Sequence, residues 1–449
     1  MMKKPFATTL DPATSLANHT GSWRTLRPVN VFKLPPCNKQ CPAGENIQQW
    51  LYHAAEGDYE QAWRVLTENN PLPACMGRVC YHTCEGKCNR GFLDESVGIN
   101  SVERFLGDYA LSHKLAFKKP ARETGKRVLI IGSGPAGLSA AYHLRRFGHT
   151  VHIVEMAQKA GGMMRYGIPV YRLPREILDA EIQRILDMGV TIEYGRKVED
   201  ILAEKEKGKY DAVIMGMGAS LSTNVDIPSG DTTHILTALN VLEKISSDGD
   251  IQIGRKIAVY GGGNTAVDVA RSLRRLGAEP IIVYRRNRDK MPANEEEMDG
   301  AIEEGIQVKW LTTIQEAQGE KLKIEKMALD EKGYPQPTGE YEEMDADSVV
   351  LAIGQNVDLS VLKTIPGLEL QKDAVTVNTT TFETTVPGIF AAGDMVPGDR
   401  TVTAAIGMGK HAARGVNGYL NGRPYVKAPK HEDARFEDMH PYYYTDAPK

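Results

Sequence analysis

"KRVLIIGSGPAGLSAAYHLRRFGHTVHIVEM", residues 126–156, decides the fold class. An apolar strand, Val128–Ile131, runs into Gly132, Gly134 and Gly137 at G-x-G-x-x-G spacing. A helical stretch follows, then a second strand, "TVHIVE", that ends at Glu155. Gly132 allows the tight turn, and Gly134 lets a pyrophosphate approach the backbone. Gly137 lets the helix pack on the strand with its N-terminus facing the phosphates. Glu155 sits where a carboxylate accepts hydrogen bonds from ribose hydroxyls. The glycine spacing alone would also suit a plain structural turn. Two strands and an acid at this offset point instead to a dinucleotide.

The strand–glycine loop–helix pattern occurs once more, in "RKIAVYGGGNTAVDVARSLRRLGAEPIIVYRRNRDKMP" (255–292). Gly261, Gly263 and Ala266 give G-x-G-x-x-A after the strand Lys256–Tyr260, and Asn264 opens the helix among them. The second strand ends at Tyr284, where the first copy has its acid, and Arg285 and Arg286 follow at once. Without a carboxylate for a free 2′-hydroxyl, guanidinium groups suit a 2′-phosphate; the alternative is a pair of solvated arginines on a loop. Two such folds imply two nucleotides that exchange electrons. A third stretch, "TTVPGIFAAGDMVPGDRTVTAAIGMGKHAARGV" (384–416), supports this. Its short strand ends at Gly393–Asp394, where an aspartate can bind a ribityl chain. The helix that begins near Thr403 can stabilise negative charge at the N1–O2 edge of a reduced flavin.

The chain has 449 residues, 41% hydrophobic, with 43 glycines and 24 prolines, enough for two or three loop-rich domains. A net charge of −4 gives no nucleic-acid signal. No apolar run reaches the ~18–20 residues of a membrane span. The start, "MMKKPFATTLDPATSL", has no apolar core of the signal-peptide kind. Six segments are expected: an extended arm (1–36), a small helical domain (37–120), a first flavin segment (121–245), a nicotinamide domain (246–345), a second flavin segment (346–425) and a tail (426–449). "SVVLAIGQN" (348–356) reads as a further buried strand, placed in the second flavin segment.

All six cysteines fall within residues 37–88, in "LPPCNKQCPAGENI" and "CMGRVCYHTCEGKC". A disulfide framework belongs to small secreted domains. In a long chain with nucleotide motifs, metal ligation is the better reading.

These motifs together resemble the two-dinucleotide-binding flavoproteins in which a nicotinamide domain is inserted into a flavin domain. Within that class, residues ~37–420 look like the small subunit of glutamate synthase and the N-terminal part of dihydropyrimidine dehydrogenase. The resemblance rests on "CxxxCP" at 37–42, "GRVC" at 77–80, "CxxxC" at 84–88, "GGNTAVDVAR" at 262–271, "YRRNRDKMPA" at 284–293 and "AAGD" at 391–394. It implies an α/β architecture of two Rossmann-like domains behind a small helical iron–sulfur domain. It implies FAD at Gly132, Gly134, Gly137, Glu155, Gly393 and Asp394. A nicotinamide nucleotide, NAD or NADP, is implied at Gly261, Gly263, Asn264, Ala266, Arg285 and Arg286. Carried over residue by residue, Cys41, Cys80, Cys84 and Glu103 ligate one [4Fe–4S] cluster. A second cluster would keep only Cys37 and Cys88 and lack two ligands, so it is expected to be absent or completed by Cys75 or another chain. Cys75 is read as a plain buried thiol. No C-x-x-C lies near the flavin motifs, unlike in thioredoxin reductases, so electrons should leave through iron and sulfur.

"TGSWRTLRPV" (20–29) resembles the start of the ferredoxin-like subunit of 2-oxoacid oxidoreductases, and "HPYYYTDAPK" (440–449) a linker to a ferredoxin domain. The expectation is therefore a cytoplasmic electron-transfer flavoprotein subunit. It would join NAD(P) to a ferredoxin-like iron–sulfur partner beside thiamine-diphosphate 2-oxoacid oxidoreductase subunits, with chemistry carried by FAD rather than by a catalytic side chain. Two alternatives stand beside it: the small subunit of NADPH-dependent glutamate synthase, and a non-catalytic scaffold that keeps clusters and folds.

Overall fold

The structure is a computed structural model that describes residues 31–439, except 224, 226, 230–233, 248–250, 252 and 429–430. The stretches 20–29 and 440–449 lie outside the described residues.

Arg127–Ile131 is the middle strand of a five-stranded parallel sheet, in the order Ile389–Ala391, Ala212–Met215, Arg127–Ile131, Thr150–Val154, Thr191–Glu193. Its apolar run is continuous because both faces are covered; Val128, Leu129 and Ile130 are fully buried. The helix Pro135–Arg146 starts with proline at its first position, where the missing N–H costs nothing, and ends on His143, Arg145 and Arg146.

A second five-stranded parallel sheet interrupts the first. Its order is Gln307–Trp310, Glu279–Tyr284, Lys256–Tyr260, Ser348–Leu351, His234–Thr237. The helix Asn264–Arg275 packs on one face. On the other lies an antiparallel meander, Thr312–Gln318, Lys321–Leu329 and Pro335–Asp345. Its Ile314, Leu322, Ile324 and Met344 join Ala258, Val283, Val349 and Leu351 in one core. The expected α/β class and the insertion of one parallel fold in the other are thus observed. Two boundaries differ. His234–Thr237 and Ser348–Leu351, expected in the flavin segments, flank one another in the second sheet, which therefore runs from 234 to 351. A short buried strand carries no mark of which sheet it joins, and the pairing of distant segments decides it.

Residues 36–112 form short helices, chiefly Ile47–Ala55, Tyr59–Thr67, Pro73–Val79 and Ile99–Ser112. The last two cross in near contact. A Cβ on Gly107 would lie 2.4 Å from Ala74 N, and one on Gly77 would lie 2.3 Å from Arg104 Cα. That approach brings Glu103 towards Cys80. Lys33–Leu34 pairs in parallel with Glu432–Asp433, so the two ends of the described chain meet beside this domain. Among the described residues no helix is long and apolar enough to cross a membrane.

Candidate functional site

Both glycine loops open into one cavity of about 990 Å³. Gly132, Gly134, Glu155, Gly393 and Asp394 line it from the first fold, and Gly261, Gly263, Asn264, Arg285 and Arg286 from the second. Gly137 and Ala266 stand behind their loops. A methyl group at Gly137 would lie 2.0 Å from the Gly132 carbonyl oxygen, whereas Ala266 is buried and accommodated.

The middle glycines test whether the cavity suits a ligand. Gly134 and Gly263 have extended φ of −69° and −92°, which any residue adopts. A Cβ on Gly263 would meet nothing within 4 Å, and one on Gly134 only Gly162 Cα at 4.0 Å. Neither backbone strain nor packing requires glycine there. Both keep open the space in front of a helix N-terminus, which fits a pyrophosphate in each fold.

Glu155 does double duty. One carboxylate oxygen accepts from Ser133 N at 2.7 Å and Ser133 Oγ at 2.6 Å, and the other from Ala157 N at 2.8 Å. In the second fold Tyr284 Oη donates to the Lys290 carbonyl at 2.8 Å, and its ring lies against Gly262. Arg285 is exposed on the cavity wall. Arg286 stands over the Tyr334 ring at 5.8 Å, and its buried Nε has no partner among the described residues. An unpaired guanidinium nitrogen in a nucleotide cavity fits a phosphate. Burial pushes the Asp394 carboxyl above its ordinary range, against the opposing pull of Arg400. Thr401 caps the helix Val402–Leu420, its hydroxyl accepting from Ala404 N at 3.1 Å.

A second, smaller cavity lies next to the first. Cys41, Cys80, Cys84 and Glu103 line it, together with Glu45 and Thr403. Each cysteine stands at a helix end: Cys41 after Pro36–Gln40, Cys80 after Pro73–Val79, Cys84 before Glu85–Lys87. Asn70 Nδ2 donates to Glu103 Oε1 at 2.8 Å and to Glu45 Oε1 at 3.0 Å. Burial raises the Cys80 thiol to about 11 and the Cys84 thiol to about 12, and lifts Cys41 and Glu103 well above their ordinary values. Three thiols and two carboxylates shut away together are held neutral by burial and are the donor set that a cationic iron core would bind as thiolates and carboxylate. Among the described residues no three such side chains converge as on a single ion; they line one cavity together.

The other cysteines stand apart from it. Cys37 and Cys88 are close enough for the charge of one to act on the other. Cys75 is fully buried, its N–H donating to Glu181 at 2.9 Å. All six are free thiols, and none lines the large cavity.

Residues 126–409 match the family model described as pyridine nucleotide-disulphide oxidoreductase. The chain belongs to this family. Residues 25–115 match the model described as dihydropyrimidine dehydrogenase domain II, 4Fe-4S cluster. As a pyridine nucleotide-disulphide oxidoreductase with that domain, the protein takes FAD, a nicotinamide nucleotide and a [4Fe–4S] cluster as cofactors. It is similar to the NADP(+)-dependent formate dehydrogenase subunit beta of Moorella thermoacetica, 36% identical over 90% of this chain. The chain spans 62% of that relative's length. It is 34% identical to the NAD-dependent dihydropyrimidine dehydrogenase subunit PreT of Escherichia coli, over 86% of this chain and 91% of that one. The fold is also that of Mycobacterium tuberculosis FprA in complex with NADPH: TM-score 0.55 at 19% identity, over 66% of this chain and 85% of that one.

Three features of this oxidoreductase escaped the sequence reading. Val79 and Tyr81, on either side of Cys80, line the large cavity. Arg172 of the flavin fold grips Asp268 of the helix Asn264–Arg275 at 2.9 and 3.0 Å, and Glu297 at 2.9 Å, almost fully buried. Thr403 reaches Cys80 from the far end of the sequence. Only Tyr81, an aromatic beside a cysteine, carried a local signal.

Proposed function

We propose that the protein is an electron-transfer subunit that joins NAD(P) to a ferredoxin-like iron–sulfur partner. The observation that carries this reading is the single cavity. Both glycine loops open into it, and the neighbours of Cys80 form part of its wall. The two middle glycines would each admit a pyrophosphate, Glu155 and Asp394 would hold the ribose and ribityl hydroxyls of FAD, and Arg285 and Arg286 would face a 2′-phosphate. When bound, the flavin supplies the exchange between a two-electron hydride and single electrons. The residues position, exclude water and stabilise charge; none is assigned to proton transfer. Cys41, Cys80, Cys84 and Glu103 would hold the cluster, leaving the Cys37–Cys88 pair two ligands short of a second.

Relatives named as a formate dehydrogenase subunit and a dihydropyrimidine dehydrogenase subunit support a role inside a larger complex. The setting we favour is oxidation of a 2-oxoacid on thiamine-diphosphate subunits, with NAD reduced here. Its support is the resemblance of residues 20–29 and 440–449 to ferredoxin-like subunits and linkers. Six free thiols suit the reducing cytoplasm. The test is anaerobic turnover of the purified chain, with NADPH or NADH as donor and a viologen dye as acceptor. Dye reduction is expected. A chain that holds FAD and iron yet reduces no dye with either nucleotide would be a scaffold.

A further inference from the structure

The two cavities are separated by two pairs of neighbouring residues. Val79 lines the large cavity and Cys80 the small one; Val402 lines the large cavity and Thr403 the small one. The first pair closes the helix Pro73–Val79, and the second opens the helix Val402–Leu420. One hydrogen bond joins them: Thr403 Oγ1 donates to Cys80 Sγ at 3.2 Å. The same sulfur accepts from His82 N at 3.3 Å.

Packing alone does not explain this threonine. It is 5% exposed, and valine would fill the same volume without a hydroxyl to satisfy. A threonine in the first turn of a helix ordinarily bonds that helix's own backbone. Here Thr401 does the capping, and the Thr403 hydroxyl faces sulfur instead, Cys80 Sγ at 3.2 Å and the more distant Met76 Sδ at 3.6 Å.

We infer that Thr403 is a positioning residue that couples the flavin cleft to the cluster by holding and polarising the Cys80 sulfur. The inference rests on the reading of Cys80 as a cluster ligand. With the cofactors bound, each hydride, which is one proton and two electrons, would leave as two single electrons over Val402–Thr403 and Val79–Cys80, the cluster holding one and passing it to the ferredoxin-like partner before taking the next, with the proton released to solvent. In the opposite direction the same count is taken up. A hydroxyl donated to a ligating sulfur favours the reduced cluster, which carries one more negative charge, so it raises the reduction potential.

The test uses the full chain with Thr403→Val and Thr403→Ser. Iron and flavin content are measured first, then flavin bleaching by NADPH in stopped flow, then cluster reduction by freeze-quench and equilibrium electron paramagnetic resonance. For Thr403→Val we expect flavin bleaching at the wild-type rate, a lower cluster midpoint potential, and flavin-to-cluster transfer slowed roughly tenfold, the low end of what outer-shell partners cost. Thr403→Ser should restore both cluster readouts. Thr403→Ala, which cannot clash, is read in the same way as the valine variant. An unchanged potential and transfer rate in Thr403→Val and Thr403→Ala would overturn the inference. So would failure of serine to restore them, which would assign the effect to the methyl group. A wild-type chain without iron would remove the ligand reading and the inference with it.

Discussion

In the first glycine-loop fold, helix and strand approach so closely that only glycine fits at position 137. In the second, Ala266 occupies the matching place, its methyl fully buried in the core. The middle glycines, Gly134 and Gly263, are alike in both: extended, uncrowded and facing the cavity. At the end of the second strand the folds part again. Glu155 braces its loop through Ser133 and leaves a carboxylate on the cavity wall. Tyr284 braces its loop through Lys290 and leaves the wall to Arg285 and Arg286. The comparison separates three jobs that one motif combines. The first and third positions serve the local packing, the middle one keeps the cavity open at the helix N-terminus, and the strand end supplies the polar wall.

The sharpest way to break this comparison is to fill the two middle positions in turn. Gly134→Val should yield a chain without the yellow chromophore, and Gly263→Val a chain that keeps FAD but binds no nicotinamide nucleotide. Flavin stoichiometry and nucleotide titration read the two outcomes. Stoichiometric FAD in Gly134→Val would show that the first fold holds something else.

Next in size is the clasp between the folds. Arg172→Met strands Asp268 in a buried site, although Glu297 keeps Arg271 at 2.6 Å, a loss on the order of 3–5 kcal/mol. Chemical denaturation of the variant against wild type measures it. Burial raises the Asp268 carboxyl to about 6 even with Arg172 beside it. A raised carboxyl favours the folded state while protonated, and that contribution fades as pH rises through the folded value. The Arg172→Met deficit should therefore be larger at pH 8 than at pH 5. An equal deficit at both would mean the lost contacts are steric.

The arginine pair tests the strand end. Arg285→Ala/Arg286→Ala should weaken NADPH binding roughly tenfold to a hundredfold, from about 1.5–3 kcal/mol of charge-assisted bonding, and leave NADH nearly unaffected. Steady-state kinetics with both nucleotides decide it. No loss with NADPH would reduce these arginines to surface charge. The smallest effect concerns the third position. Ala266→Gly should cost about 1–2 kcal/mol through helix propensity and one lost buried methyl, with nucleotide affinity unchanged in titration.

Both glycine loops, their strands and the strand-end residues were legible in the sequence because each is a local pattern of a few residues. The candidate ligands were legible only through resemblance. Cys75 and Cys80 sit five positions apart, and nothing in their spacing says that the helix Pro73–Val79 turns one to Glu181 and releases the other into the cavity. Ser348–Leu351 was legible as a strand but not as a member of the second sheet. Thr403 lies 323 positions from Cys80, and the clasp of Arg172 on Asp268 spans 96. Such contacts follow from packing of whole domains, which local composition does not encode.

The central claim is that nicotinamide, flavin and cluster form one electron path in this chain. The most direct measurement reduces the chain with dithionite, removes the excess, and adds NADP+ under anaerobic conditions while following electron paramagnetic resonance and absorbance at 340 nm. Ligand counting gives one cluster of about four irons per chain. The expected result is loss of the reduced-cluster signal together with appearance of NADPH, one for every two electrons withdrawn. A cluster signal that persists after NADP+ has reoxidised the flavin would contradict the path.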